Sequence, residues 1–394
     1  MVDGFWRDDI RVAKPWGREM QIGFCQHNQQ QAGINYQENQ MRHFRYSMFI
    51  TVLCLALAFI WGQKSLDGGV ATMTLALLLG IMEVSLSFDN AVVNASVLKE
   101  MDHKWRQIFL TVGILIAVFG MRLLFPIVVV AVATGQSMID VAQMALKTPD
   151  EYARHLNDAH AGIASFGGMF LLLVFLSFLF DEGKEIHWLG RVEELLAKLG
   201  KLESVGIICA LGALLLAQAF LPIDAATRLL VVVAGIGGVF LYVVVDSLGG
   251  FFEEEEESGA VGNVAKRSGV MGFLYLEVLD ASFSFDGVIG AFAVTRDVVI
   301  IMLGLAIGAM FVRSLTVYLV EKGTLDEYVF LEHGAHYAIG ALAFIMFGSI
   351  VWHISEVVTG LIGVGFIVVA FTSSLIYKKN NPDEVGKAEV QAAD

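Results

Sequence analysis

Glu83-Val84-Ser85-Leu86-Ser87-Phe88-Asp89-Asn90 lies inside an apolar run covering about residues 70–98. A charged side chain at the centre of a bilayer costs roughly 2.5–3.5 kcal/mol on insertion scales, so two carboxylates inside such a run are a functional signal. A second stretch, Asp280-Ala281-Ser282-Phe283-Ser284-Phe285-Asp286-Gly287, aligns with the first without a gap: acid, Ser, Ser, Phe and Asp fall in register. Each stretch is followed, in the next apolar run, by a lone arginine, Arg122 or Arg313. Further on, Ala159-His160 and Ala335-His336 each lead into another run, with Ile163 and Ile339 three residues later. These features recur in one order, which marks an internal repeat.

The rest of the chain is of the same kind. Of its 394 residues 56% are apolar and 17% charged, with a mean hydropathy of +0.66. Soluble domains sit near 45–50% apolar and about 25% charged, so a soluble, disordered or collagen-like chain is excluded. The 40 glycines suit helices that pack closely in a bilayer. About ten runs approach the ~20 residues a crossing needs: 45–61, 70–98, 107–132, 161–180, 204–221, 226–248, 269–295, 298–320, 336–354 and 356–377. The expectation is an all-α polytopic membrane bundle of nine to ten helices. Its parts are a polar disordered tail (1–44), a first membrane repeat (45–225), a second (226–377) and a polar C-terminal tail (378–394). The runs 70–98 and 107–132 exceed a simple crossing and must tilt, break or project.

The first run has a second reading. From Met41, basic residues precede an apolar stretch, and Ala56-Leu57-Ala58 resembles a signal-peptidase site. Loop charges disfavour an uncleaved run that fails to cross, while cleavage would keep the charge bias and leave nine spans; an uncleaved, crossing first helix is the preferred expectation. With every run spanning, most lysines and arginines outside the spans fall on the side holding both termini, which places both in the cytoplasm of a bacterial inner membrane. The motif helices are then the second and seventh spans and run antiparallel. This is the inverted repeat of secondary transporters, with a site near the midplane between halves. His160 falls near the outer face and His336 near the inner, and both, with His187 and His353, read as interfacial residues.

Five acids sit inside apolar runs: Glu83, Asp89, Glu277, Asp280 and Asp286. They need cations, protons or arginine partners. At 100° per residue, Glu83, Ser87, Asn90 and Asn94 form one oxygen-bearing stripe, matched by Asp280, Ser284, Gly287 and Ala291. Asp89 and Asp286 lie about 240° round from the first acid of each motif, so one ligand reaches both acids only where the helix unwinds. Ser85, Ser87, Ser282 and Ser284 suit such breaks, since serine bonds freed backbone groups. Oxygen ligands suit a hard divalent cation such as Mg²⁺, Ca²⁺ or Mn²⁺. Arg122 and Arg313 read as counter-charges for the acids of their own halves, or as groups that move during transport. Cys25, Cys54 and Cys209 have no metal-like spacing. The net charge of −14 disfavours nucleic acid, and the run Glu253 to Glu257 reads as a solvated loop.

The motif Glu83-x-x-Leu86-Ser87-x-Asp89-Asn90 resembles the first signature of the TerC family of integral membrane proteins, and Glu277-x-x-Asp280-x-x-Phe283-x-x-Asp286 is similar to the second. That family belongs to the LysE-type exporter superfamily and is linked to tellurium resistance and, in several branches, to manganese export. The resemblance extends over about 70–377 and implies a cation site of Glu83, Asp89, Asn90, Asp280 and Asp286. Gly287-Val288-Ile289-Gly290, where the family often has Ser-Ile-Pro-Ala, marks a divergent branch, as do the acidic run and the polar N-terminus.

The expected function is therefore a secondary transporter exporting Mn²⁺ or a similar divalent cation, the ion being substrate and no cofactor being permanently bound. Its partners are the bilayer, the cation, and a homo-oligomer or stress-complex proteins. The alternative is a membrane scaffold or metal-sensing component of a tellurium-resistance or envelope-stress system. An enzyme is disfavoured: there is no Gly-x-Gly-Asp, no His-Glu-x-x-His and no GxxxxGK[ST] phosphate loop.

Overall fold

The computed structural model describes residues 44–63, 68–184, 186–202, 204–257, 269–352 and 354–380. The chain divides into two units, Met1–Arg45 and Tyr46–Asp394. The tail expected over 1–44 lies outside the described residues apart from Phe44, as do His353 and residues 381–394. The second unit is all-α, with helices and turns and no strand among the described residues. In chain order come α1 (Phe44–Gly62), α2 (Gly69–Leu86), α3 (Phe88–Glu100), α4 (His103–Leu115), a π-helical segment (Ile116–Leu124) and α5 (Phe125–Thr134). Then follow α6 (Met138–Lys147), α7 (Pro149–Leu179), α8 (Arg191–Ala197) with a 3₁₀ turn (Lys198–Lys201), α9 (Val205–Phe220) and α10 (Ala225–Glu257). The last are α11 (Gly269–Val294), α12 (Val298–Glu321), the single turn α13 (Thr324–Glu327), α14 (Leu331–Ser349) and α15 (Glu356–Asn380).

Each apolar run of the sequence falls on helix. Among the described residues 7 helices are long and apolar enough to cross a membrane, or 8 if Arg191–Lys201 and Val205–Phe220 form one bent span. The protein is thus a multi-pass membrane protein. Gly269–Val294 is not among the seven because it carries Glu277, Asp280 and Asp286. The backbone of α10 stays helical through Glu257, so the acidic run begins as a helix end rather than the expected loop.

Local chemistry sets several boundaries. Asp297 caps α12 by accepting from the backbone N–H of Val299 at 2.9 Å, as its position before a helical run predicts. Gly135, at φ 68°, closes α5 in the left-handed conformation that glycine adopts freely. Pro126 sits in the first turn of α5, and the turns before it widen: the Phe125 N–H donates to the carbonyl of Gly120, five residues back. The π-helical stretch before Pro126 holds Arg122. Such stretches are common at functional sites.

Helices of the first and second halves of the chain pack against one another. α7 packs against α10 and α14, and α2 packs against α12. The α2–α12 crossing is close because Gly304 and Gly308 present no side chain: a Cβ on Gly308 would lie 2.3 Å from the Cβ of Glu83. This small-xxx-small spacing lets membrane helices approach backbone to backbone, and here it presses Glu83 against the second half. α1 is bonded into the bundle as well. Ser47 donates to the Met310 carbonyl at 2.8 Å, and Thr72 donates to the Ala58 carbonyl at 2.9 Å.

Candidate cation site

The long run 70–98 breaks at Ser87, which closes α2 and opens α3 at φ −104°, ψ 18°. The break re-aims Asp89 relative to Glu83, and both carboxylates line one cavity of about 400 Å³ with Ser87, His160, Gly287 and Ser349. The cavity continues past Asn157 and Trp352. Ser87 donates to Glu83 Oε1 at 3.3 Å. A Cβ on Gly287 would lie 2.7 Å from Glu83 Oε2, and one on Gly363 would lie 3.1 Å from Asp89 Oδ2. Glycine at these two positions makes room for the acids.

Glu83, Asp89, Asn90, Glu277, Asp280, Arg122 and Arg313 are all buried. Arg122 Nη2 is paired with Glu83 Oε1, Arg122 Nη1 donates to the Ala117 carbonyl at 2.8 Å, and Nη1 lies 4.0 Å from Asp280 Oδ2. Arg122 therefore bridges acids of both halves, and the expectation that it serves only its own half is corrected. Asn90 also crosses the halves, donating to Asp280 Oδ1 at 3.0 Å. Arg313 has its nearest acid in its own half, its Nη2 lying 3.9 Å from Glu277 Oε1, while its guanidinium stacks on a ring of the first half, 3.7 Å from the centre of Phe109. Among the described residues both oxygens of Glu277, both Nη atoms of Arg313, Asp280 Oδ2 and Asn94 Oδ1 have no hydrogen-bond partner. Buried polar groups in this condition are rare outside functional sites. When ionised, Glu83, Asp89, Glu277 and Asp280 outweigh Arg122 and Arg313 by two charges.

Other expectations change. α11 runs unbroken, and Ser282 bonds the Val278 carbonyl of its own helix at 3.0 Å. The break expected at Ser282 and Ser284 is absent because nothing draws that backbone out of its ladder. The side chains of Ser284 and Asp286 lie outside the described residues. Ser85 is exposed and bonds back to the Ile81 carbonyl, so it takes no part in the site. Among the described residues no three acid, histidine or cysteine side chains converge as a metal cluster: Glu83 is held by Arg122, Asp280 by Asn90, and Asp89 faces the cavity.

Histidine assignments change too. His160, read as interfacial, lines the cavity, with its Nε2 3.4 Å from Ser349 Oγ. His336 is buried and stacked on Phe178 at 4.0 Å. Beside it is a buried charged cluster that the sequence reading missed. Lys184 donates to Glu193 Oε1 at 2.9 Å, and His333 Nε2 lies 3.5 Å from the same oxygen. Lys184 and Glu193 come from a polar stretch where charge is ordinary, so no sequence signal marks them. A groove of about 780 Å³ between α5, α7 and α10 is lined mostly by apolar side chains, with Thr134, Gln136, His155 and Asp158 among them.

The fold and site define a multi-pass helical membrane protein with a core of acids and arginines shared between two halves. The chain belongs to the family described as protein of unknown function (DUF475), whose model matches residues 88–381. The match begins one residue after the break at Ser87 and takes in Asp89, Arg122, Asp280 and Arg313. No curated protein and no solved structure matches the chain.

Proposed function

We propose that the protein is a secondary transporter that exports a divalent cation, with Mn²⁺ the leading candidate, from the cytoplasm of a bacterial cell. The observation that carries this reading is the cavity in which the break at Ser87 gathers Glu83, Ser87 and Asp89 within the bundle. The surplus of two carboxylate charges suits a doubly charged ion, and the ligand atoms are hard oxygens. Arg122, poised between Glu83 and Asp280, gives a means of release: a cation entering from Asp89 competes for Glu83, and Arg122 moves toward Asp280. The resemblance to TerC proteins points the same way.

Contacts between loops support the alternation of ten spans. Lys184–Glu193, Glu193–His333 and Lys378–Glu327 join segments that the alternation assigns to the inner side. Trp61–Asp297 and Arg296–Asp150 join segments assigned to the outer side. The inverted repeat is supported by pairing of equivalent elements: α2 against α12 matches α11 against the π-helical segment, and α7 lies against α14.

A scaffold or metal-sensing role in a tellurium-resistance or envelope-stress system, with the acids structural, is favoured by one observation: Glu83 is held by Arg122 and Asp280 by Asn90. Titration of the purified protein with Mn²⁺, with free ion read by electron paramagnetic resonance, tests the site. The transport reading predicts saturable binding that weakens at least tenfold in Asp89→Asn. Unchanged binding in that variant would remove Asp89 from the site.

A further inference from the structure

The stretch from Arg191 to Leu202 divides its surface into three sectors. Glu193, Ala197 and Gly200 face the protein. Glu193 and Ala197 are buried, and a Cβ on Gly200 would lie 2.0 Å from the carbonyl oxygen of Phe180, so the backbone rests directly on the end of α7. Val192, Leu195, Leu199 and Leu202 form a second sector and are 42–63% exposed. Arg191, Glu194, Lys198 and Lys201 form a third, also exposed. At Ser204 the backbone turns left-handed, and the next helix, Val205–Phe220, leaves at 105° as an apolar rod.

Four large apolar side chains on one sector are costly in water, at roughly 25 cal/mol per Å². A helix that touches protein on one side, shows an apolar stripe on the next and a charged face on the third fits the edge of a bilayer. There the protein, the acyl chains and the water each meet one sector. The right-angle bend into α9 is the turn a chain makes when it leaves the membrane plane to cross it. The charged sector carries three basic residues and one acid, and Lys198 is paired with that acid, Glu194, at 2.8 Å. Arg191 and Lys201 remain to meet headgroups, and lipid phosphates of an anionic leaflet complement them.

We propose that Arg191–Leu202 is an in-plane helix seated on the anionic surface of its leaflet, with Val192, Leu195, Leu199 and Leu202 among the acyl chains and Arg191 and Lys201 at the phosphates. This assignment rests on the multi-pass fold and stands apart from the transport reading. Its inner anchor is Glu193, tied to Lys184, to the Leu189 N–H at 3.1 Å and to His333 at the start of α14.

The test uses the full chain, with Cys25, Cys54 and Cys209 replaced by serine, reconstituted in bilayers of phosphatidylcholine with or without phosphatidylglycerol. A nitroxide is placed through Val192→Cys, Leu195→Cys, Leu199→Cys, Leu202→Cys, Glu194→Cys or Lys198→Cys, one at a time, and its collisions with oxygen and with a water-soluble nickel chelate are measured. The four apolar positions should favour oxygen several-fold over nickel, and positions 194 and 198 the reverse. Phosphatidylglycerol should deepen the four, and Arg191→Gln with Lys201→Gln should abolish that response. Three results overturn the proposal: nickel access at all positions, shielding of the apolar four from both reagents by a second copy or another protein, or no effect of the anionic lipid.

Discussion

Glu83 and Asp89 are carboxylates six residues apart with different surroundings. Arg122 pairs with Glu83, whereas among the described residues no lysine or arginine lies within ion-pair distance of Asp89. Asp89→Asn should therefore leave the bundle intact, with an unchanged melting temperature, and abolish cation flux. Arg122→Gln should instead unfold readily. It leaves Glu83 buried without its cation, a loss of roughly 3–5 kcal/mol for a broken buried pair. Adding Glu83→Gln should restore most of the lost stability without restoring flux, and thermal melting with a flux assay checks both. Gly363→Ala places a methyl 3.1 Å from Asp89 Oδ2 and should slow transport in a folded protein. Charges within apolar runs made the acids and arginines legible from the sequence. Gly363, Ser349 and Trp352 were not legible, because only the packing of the C-terminal helices brings them to the cavity that Asp89 and Glu83 line. The bridge from Arg122 to Asp280 was hidden for the same reason.

Elements differ in how openly the sequence declares them. The break between α2 and α3 followed from two acids that one unbroken helix could not aim at one ligand, and from serines able to hold freed backbone. α11 has the same acids and serines yet stays unbroken, because Ser282 bonds its own helix and the backbone keeps its register. The π-helical segment had a visible cause in Pro126, whose nitrogen cannot donate, but its extent over Ile116–Leu124 was not predictable. Pro126→Ala returns that donor and should favour ordinary α-turns. Arg122 would then shift from Glu83, and the variant should fold yet lose most of its transport. On the inner side, burial pushes the Glu193 carboxyl up. The hydrogen bonds from Lys184 and the Leu189 N–H, with the charges of Lys184 and His333, outweigh burial and hold it below the ordinary range. A carboxyl lowered on folding stabilises the protein above its unfolded value, about 4.3, and loses that contribution as pH falls through the lowered value. Wild-type protein should thus lose stability on acidification below about pH 4 more steeply than Glu193→Gln. Melting curves across that range would show it.

At the scale of the whole molecule, membrane insertion was plain from composition, and the helical runs followed from length. The number of crossings was harder to read. α11 carries three acids, the start of α14 carries Glu332, His333 and His336, and α9 is short, so these three look least like spans. Reporter fusions after Lys379 and within the loop between α8 and α9 should both report cytoplasm. An external signal from either would reverse the direction proposed for transport. The central claim is that buried acids at the break in α2–α3 carry a divalent cation across the membrane. The most direct measurement is Mn²⁺ movement into proteoliposomes containing the full chain, its Asp89→Asn variant, or no protein. Flux should be well above that of empty vesicles for the wild type and equal to it for Asp89→Asn. Wild-type flux no greater than that of empty vesicles, or equal flux in the two proteins, would contradict it.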